Sequence, residues 1–414
     1  MKTILLPQLC WDDARELAID LPDGWQVEMC RMAGHDRPVL SAGAVREALR
    51  HPIGAPPISA GARGKQRICI LFDDMARPTR VAAIVPHVLE ELREAGVDDG
   101  QVRFVCALGA HGALTRRDFV KKLEEEVVRR FPVFNHNVTG NCAFAGRTAA
   151  GVDLHLNAEV VACDYKISIS SVVPHAFAGF GGGAKMILPG VASLDTIGAM
   201  HRLKLENAGD TTVDFGGMGC VEGNRIRETI EEAGDLVGLD FIIGALVNEW
   251  GETVSLYAGA PRAAFGKAVE DGRQHYLTPR PLDCDIVITN TFAKANEGEG
   301  GTITGFPSLK ATGGDLVLIS NAPEGHVGHY LLGSWGTVRP GDFRLVVQLP
   351  PQAERLIVFN EYKDLSAALF FAPAEKVFLL DRWEDVLRAL AARHGQEAKV
   401  AIYTSAEIQY CGTR

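Results

Sequence analysis

Short apolar runs of β-forming residues alternate with amphipathic segments along most of the 414-residue chain, and this alternation constrains the fold more than any other feature. Residues 67–72, 102–108, 165–173 and 241–247 read as buried strands, while 81–95, 116–131, 192–205 and 224–233 repeat apolar residues at helical spacing. Such a succession predicts an α/β fold of mainly parallel sheet flanked by helices, with ligands at the carboxyl ends of the strands. A second series of strands, 285–290, 315–320, 344–348, 376–380 and 399–403, follows the break at Thr278-Pro279-Arg280-Pro281, with helices near 366–370 and 383–392. The expectation is two α/β domains, residues 1–276 and 277–414, facing one another across a ligand cleft.

Composition narrows the function classes. A net charge of −10 argues against nucleic acid as the main partner, because phosphate binding needs concentrated positive charge. The nine cysteines are dispersed, with no CxxC and several inside apolar runs, which fits reduced thiols and not a disulfide scaffold or zinc site. Pro7 breaks the apolar Ile4-Leu5-Leu6, and no apolar run approaches the ~20 residues of a membrane span, so a soluble, cytoplasmic protein is expected. Arg116, Arg117, Lys121 and Lys122, interleaved with Glu124, Glu125 and Glu126, read as a solvated, salt-bridged helix face.

The densest chemical signal is Gly181-Gly182-Gly183-Ala184-Lys185, with His175 ten residues before the lysine and His201 sixteen after it. Glycines between a strand and a helix offer backbone N–H groups to an anion. The block is not a Walker loop, because Ala184 separates glycine from lysine and Met186 stands where Ser or Thr would bind magnesium. Two readings stand: a phosphate-bearing cofactor beside a lysine able to bond it covalently, or a turn packing helix against strand. Upstream, Asp73-Asp74-Met75-Ala76-Arg77-Pro78-Thr79 follows the first strong strand. There Arg77 suits a carboxylate or phosphate and Asp74 a sugar hydroxyl, although an N-cap and turn explain the run equally well. His111 follows Gly109 at the next strand end and His175 occupies the equivalent place after Val173, so the two could present bases to both faces of one substrate. His201 could ligate a transition metal, but no HxxxH, HExxH or CxxC lies nearby, so other ligands must come from elsewhere.

Taken together, His175, Lys185 and His201 at these spacings, with Asp74–Thr79 and Gly109-Ala110-His111, resemble the nickel-pincer lactate racemase family. Residues 50–57 and Ala322-Pro323-Glu324-Gly325-His326 are similar to it as well. The resemblance implies a cofactor-binding N-terminal domain and a C-terminal domain that closes the substrate cleft. It implies a thiolated pyridinium mononucleotide carrying nickel, attached to Lys185 and contacted by Asp74, Gly182 and Gly183, with His201 as the protein's nickel ligand. His111 and His175 match the catalytic bases and Arg77 a substrate-binding residue. The implied activity is racemisation or epimerisation of a 2-hydroxy acid by reversible hydride transfer. The implied partners are that small-molecule acid and the proteins that mature the cofactor, without which the chain is apo.

The chain departs from the family pattern in its C-terminal half. Phe306-Pro307-Ser308-Leu309-Lys310 is the nearest match to the family's substrate-lining tyrosine, glutamine and lysine, and only Lys310 keeps its type. That opens the substrate to an aromatic, dicarboxylic or sugar-acid 2-hydroxy acid as readily as to lactate, with Lys310 as a second carboxylate-binding cation. The acidic, glycine-rich 295–302 segment reads as a surface loop or as a contact for hydroxyls of a longer substrate, His326 and His329 as exposed residues of a glycine-rich turn or as residues facing the cleft, and His136 and His155 as surface or hydrogen-bonded residues. The alternative function is a non-catalytic binding or storage protein for a pyridinium mononucleotide or similar anion. The pairing of His111 with His175 speaks against storage, which needs no bases.

Overall fold

The structure is a computed structural model that describes residues 1–205, 217–331 and 346–412. It divides into two compact units, one of Arg37–Asn248 with Glu252–Arg273, the other of Met1–Asp36, Glu249–Gly251 and Gln274–Arg414.

The first unit is built on a six-stranded sheet in the order Thr253–Gly259, Phe241–Val247, Tyr165–Ser171, Ile68–Phe72, Val102–Cys106, Val133–Asn135. All neighbours are parallel except the antiparallel edge strand Thr253–Gly259. The central strands are buried on both faces, as continuous β-branched and aromatic runs require. Ile70, Phe72, Phe104, Ile167 and Ile169 pack with Val85, Val88, Leu92, Phe119 and Leu123 of two flanking helices. Of these helices, Arg116–Arg130 starts at a capping box in which Thr115 accepts from the Asp118 N–H and the Asp118 carboxylate accepts from the Thr115 N–H.

The second unit contains a six-stranded, wholly parallel sheet: Val377–Leu380, Ala353–Phe359, Gly314–Ile319, Ile286–Asn290, Lys399–Tyr403, Gln26–Cys30. Its edge strand Gln26–Cys30 corrects the expected 1–276 domain. The first thirty-six residues belong with the C-terminal unit, because Gln26–Cys30 pairs with Lys399–Tyr403 and Leu6, Ile19, Leu21 and Trp25 share one core with Ile286, Ile288 and Val400. The strand Ala353–Phe359 was absent from the sequence expectation, and of the expected 344–348 strand, residues 344 and 345 lie outside the described residues. No helix among the described residues is long and apolar enough to cross a membrane, and all nine cysteines are free thiols.

Trp25 is fully buried and its indole N–H donates to the Gly395 carbonyl at 3.2 Å. Trp25→Ala is expected to cost about 3–5 kcal/mol in urea unfolding, a loss that marks the N-terminal segment as part of the C-terminal core. A loss under about 0.5 kcal/mol, the size of a surface substitution, would contradict that assignment.

Candidate active site

Three neighbouring parallel strands, Tyr165–Ser171, Ile68–Phe72 and Val102–Cys106, end at one edge of the first unit's sheet. The loops that leave them carry His175 and Lys185, Asp74 and Arg77, and His111, respectively. Backbone hydrogen bonds tie these loops together. The Gly190 N–H donates to Lys185 O at 3.0 Å, and the Gly109 N–H donates to Gly190 O at 2.8 Å, two residues before His111.

His111 and Asp74 form a short contact at this edge. Both are buried, and His111 Nδ1–H donates to Asp74 Oδ2 at 2.5 Å. The other Asp74 oxygen accepts from the Ala76 N–H at 3.0 Å. A carboxylate on Nδ1 fixes the tautomer and leaves the lone pair on Nε2, the nitrogen chemically able to accept a proton. Arg77 is half-buried and donates from Nη1 to Ala76 O at 2.6 Å, so its guanidinium is held close over the same turn.

His175 lies in a two-residue hairpin, Pro174–His175 against Gly179–Phe180. Its Nδ1 accepts from the Phe177 and Ala178 N–H groups at 3.1 and 3.3 Å, which places the ring hydrogen on Nε2. The two histidines thus rest in opposite tautomers, one with a lone pair at Nε2 and one with a hydrogen there. The Phe177 ring connects His175 to His201, with centroid separations of 6.1 and 5.4 Å.

The glycine block is more elaborate than a strand-to-helix turn. The hairpin and a short 3-10 turn, Gly183–Met186, precede the helix Leu194–Leu205, so no α-helix begins at the glycines. Gly182 and Gly183 have φ of 76° and 63°. A Cβ would lie 2.7 Å from Ser171 O at Gly182 and 2.9 Å from the Phe265 ring at Gly183. Conformation and packing therefore demand glycine at both positions. Lys185 stands half-buried on the 3-10 turn, and its charge reaches His201.

His201 has the electronic state that a metal ligand needs. Its Nδ1–H donates to Ile197 O at 2.8 Å, one helical turn back, which leaves the Nε2 lone pair. Burial, with a contribution from the Lys185 ammonium, pushes its pKa down to about 4 against the backbone bond's opposing effect. Among the described residues no cluster of three or more His, Cys, Asp or Glu side chains can hold a metal. A metal held by this one imidazole would need most of its donors from elsewhere.

Two supporting residues escaped the sequence reading. Arg227, buried on the helix Arg225–Val237, donates to the carbonyls of Ala178 (3.2 Å), Phe180 and Gly182 (3.5 Å) and pairs with Glu231 at 3.1 Å. It ties down the whole 178–182 segment while stacking over Phe265 at 4.2 Å. Lys122, expected on a solvated face, is instead fully buried and paired with Asp73 at 2.9 Å. It sits three residues after buried Phe119, on the helix face turned to the sheet.

Lys310, His326 and His329 belong to the second unit, and His136 and His155 to other parts of the first. Lys310 pairs with Asp285 just before the strand Ile286–Asn290, at the amino ends of the second unit's strands, opposite the edge where parallel sheets bind ligands. His326 is not an exposed turn residue. Its side chain is 4% exposed, it donates from Nε2 to Glu299 at 2.8 Å and from Nδ1 to Val327 O at 2.9 Å, and it stacks on Phe370. Burial opposes its charge, but the Glu299 carboxylate outweighs that and raises its pKa. His329 accepts from the Leu331 N–H at 3.1 Å. His136 is buried between Ala192 O and Asn157, and His155 is exposed beside Phe144.

The depressed His201 pKa has a pH signature. An ordinary histidine protonates near 6.5, so the fold favours neutral His201, and that contribution is complete above pH 6.5 and lost as pH falls toward 4. NMR titration of the ring should show His201 neutral at pH 5.5, and His201→Gln should flatten the acid limb of stability between these values. A midpoint near 6.5 would contradict the burial argument.

Comparison with known proteins identifies relatives of this chain. Residues 13–212 match the family described as the lactate racemase N-terminal domain. The lactate racemase of Lactiplantibacillus plantarum is 30% identical over 290 residues, covering 69% of this chain and 67% of that protein. The lactate racemase of Thermoanaerobacterium thermosaccharolyticum is 29% identical over 322 residues, covering 76% of this chain and 74% of the relative. The solved lactate racemase apoprotein from T. thermosaccharolyticum has the same fold, with a TM-score of 0.74 over 100% of both chains at 21% identity. A Thermotoga maritima structure aligns at 0.62, covering 90% of this chain and 98% of its own at 18% identity. The strand-end imidazoles and the lysine thus stand in a chain that belongs to the lactate racemase family, whose named members are isomerases.

Proposed function

We propose that this protein is a racemase or epimerase of a 2-hydroxy acid that uses a lysine-tethered nickel-pincer pyridinium mononucleotide. The observation that carries the reading is the convergence of Asp74–His111, His175, Lys185 and His201 at one sheet edge, in a chain that belongs to a racemase family. Lys185 would hold the cofactor through its amine, His201 would donate Nε2 to the metal, and the Gly182–Gly183 backbone and Asp74 would flank the nucleotide. When bound, that cofactor supplies a reversible hydride acceptor.

The chain's own groups handle the proton and the orientation. His111 Nε2 takes the substrate hydroxyl proton, and the Asp74 carboxylate stabilises the imidazolium that forms. His175 meets the oxygen from the other side through Nε2–H; protonated at Nδ1 by solvent water in place of the Phe177 and Ala178 N–H bonds, it gives its Nε2 proton to the product oxygen, and His111 returns its extra proton to solvent. Arg77 binds the substrate carboxylate through paired N–H groups. Lys310, at the far end of its own sheet, is left out of this assignment. The departure at Phe306 and Pro307 from the family's substrate-lining tyrosine and glutamine favours a 2-hydroxy acid other than lactate as substrate. Loading would depend on cofactor-maturation proteins.

The test is enantiomer interconversion of a 2-hydroxy acid panel by protein co-expressed with maturation enzymes, with intact mass read in parallel. His111→Ala and His175→Ala should each lose about 10²-fold or more in turnover while keeping the Lys185 adduct. An adduct with no turnover on any panel member in the unsubstituted protein would favour the storage reading. Absence of an adduct on Lys185 after co-expression would contradict the cofactor assignment.

A further inference from the structure

Two consecutive carboxylates leave the strand Ile68–Phe72, and they have opposite fates. Asp74 faces His111, whereas Asp73 turns into the protein. Lys122 claims Asp73. Its ammonium donates to Asp73 Oδ1 at 2.9 Å, Arg77 O at 2.9 Å and Thr79 O at 3.3 Å, which matches its three N–H bonds to three oxygens on one seven-residue loop. The second Asp73 oxygen accepts from Thr79 Oγ1 and from the Ser171 N–H at 3.2 Å, so the neighbouring strand is tied in as well.

We infer that Lys122 is a positioning residue: by fixing Asp73 inward it turns Asp74 outward onto His111 Nδ1 and holds the Arg77 backbone. The reasoning is stereochemical. Consecutive residues leaving a strand point to opposite sides, so whichever carboxylate is anchored decides which one reaches the imidazole. A buried ammonium is costly unless every N–H is met, and here all three partners lie on the loop that bears the site residues. The helix Arg116–Arg130 is also interrupted two residues later, at Glu124 with φ 70° and ψ 156°, so the segment bearing Lys122 is set apart from the rest of the helix. The inference rests on the proposed racemase reading for its catalytic meaning, but the alignment of His111 is measurable without it.

The test uses the cofactor-free full-length chain. A short Nδ1–H···carboxylate bond gives a low-field proton resonance, assigned by its absence in His111→Asn. In Lys122→Met the resonance should be lost while circular dichroism still reports the folded protein. A purely stabilising lysine would lower the melting temperature and leave the resonance in place, and that outcome overturns the inference. Should Lys122→Met fail to fold, Thr79→Val, which removes one donor to Asp73 and keeps the cation, decides the matter: a shifted or weakened resonance supports the role and an unchanged one overturns it. In loaded enzyme, kcat should fall about 10²-fold in the variant that loses the resonance. Loss of the resonance in a chain that loads but turns over nothing would leave the positioning role standing and remove the racemase reading alone.

Discussion

The parallel pairing of Tyr165–Ser171, Ile68–Phe72 and Val102–Cys106 is the constraint on which the proposed chemistry depends. Because all three strands run the same way and end within two residues of one another in register, residues separated by as much as a hundred positions leave the sheet at the same edge. Reversing any one strand would carry its loop to the opposite edge. The apolar, two-sided burial of these strands secures the register, since Ile70 is matched with Ile167 on one side and Phe104 on the other. The site inherits its precision from this core.

Charge burial then converts a sheet edge into an ordered site. Lys122–Asp73 and Arg227–Glu231 are both sequestered pairs, and each spends its remaining N–H groups on loop carbonyls. Such pairs add little to stability compared with an apolar substitute, yet removing one partner typically costs about 3–5 kcal/mol. Their effect here is local order: one pins the 73–79 turn and the other the 178–182 segment. Burial also lowers the Arg227 pKa to about 10, a value that leaves it charged at neutral pH. His201 shows the complementary case, a histidine kept neutral by its surroundings and therefore open to a metal.

Much of this was legible in the sequence, and the failures have physical reasons. The strand Phe241–Val247 coincides with the expected 241–247, and Ile68–Phe72 differs from it by one residue, because uninterrupted apolar runs bounded by polar residues carry a strong signal. The N-terminal segment was misassigned because strand pairing between residues 26–30 and 399–403 is a long-range event that no local pattern announces. Lys122 was misread because its charged neighbours suggested a solvated face, whereas its spacing from Phe119 put it on the buried one. Lys310 illustrates the limit of motif matching. The residue type agreed with the family pattern, but the loop that carries it returns to the amino ends of the strands.

The most direct test of the account is the fate of the α-hydrogen. A 2-hydroxy acid deuterated at the α-carbon, incubated with cofactor-loaded protein in ordinary water, should yield the opposite configuration at that carbon with the deuterium retained. Racemisation accompanied by washout of deuterium into solvent would mean that the carbon is deprotonated by a base, and would contradict hydride transfer at this site.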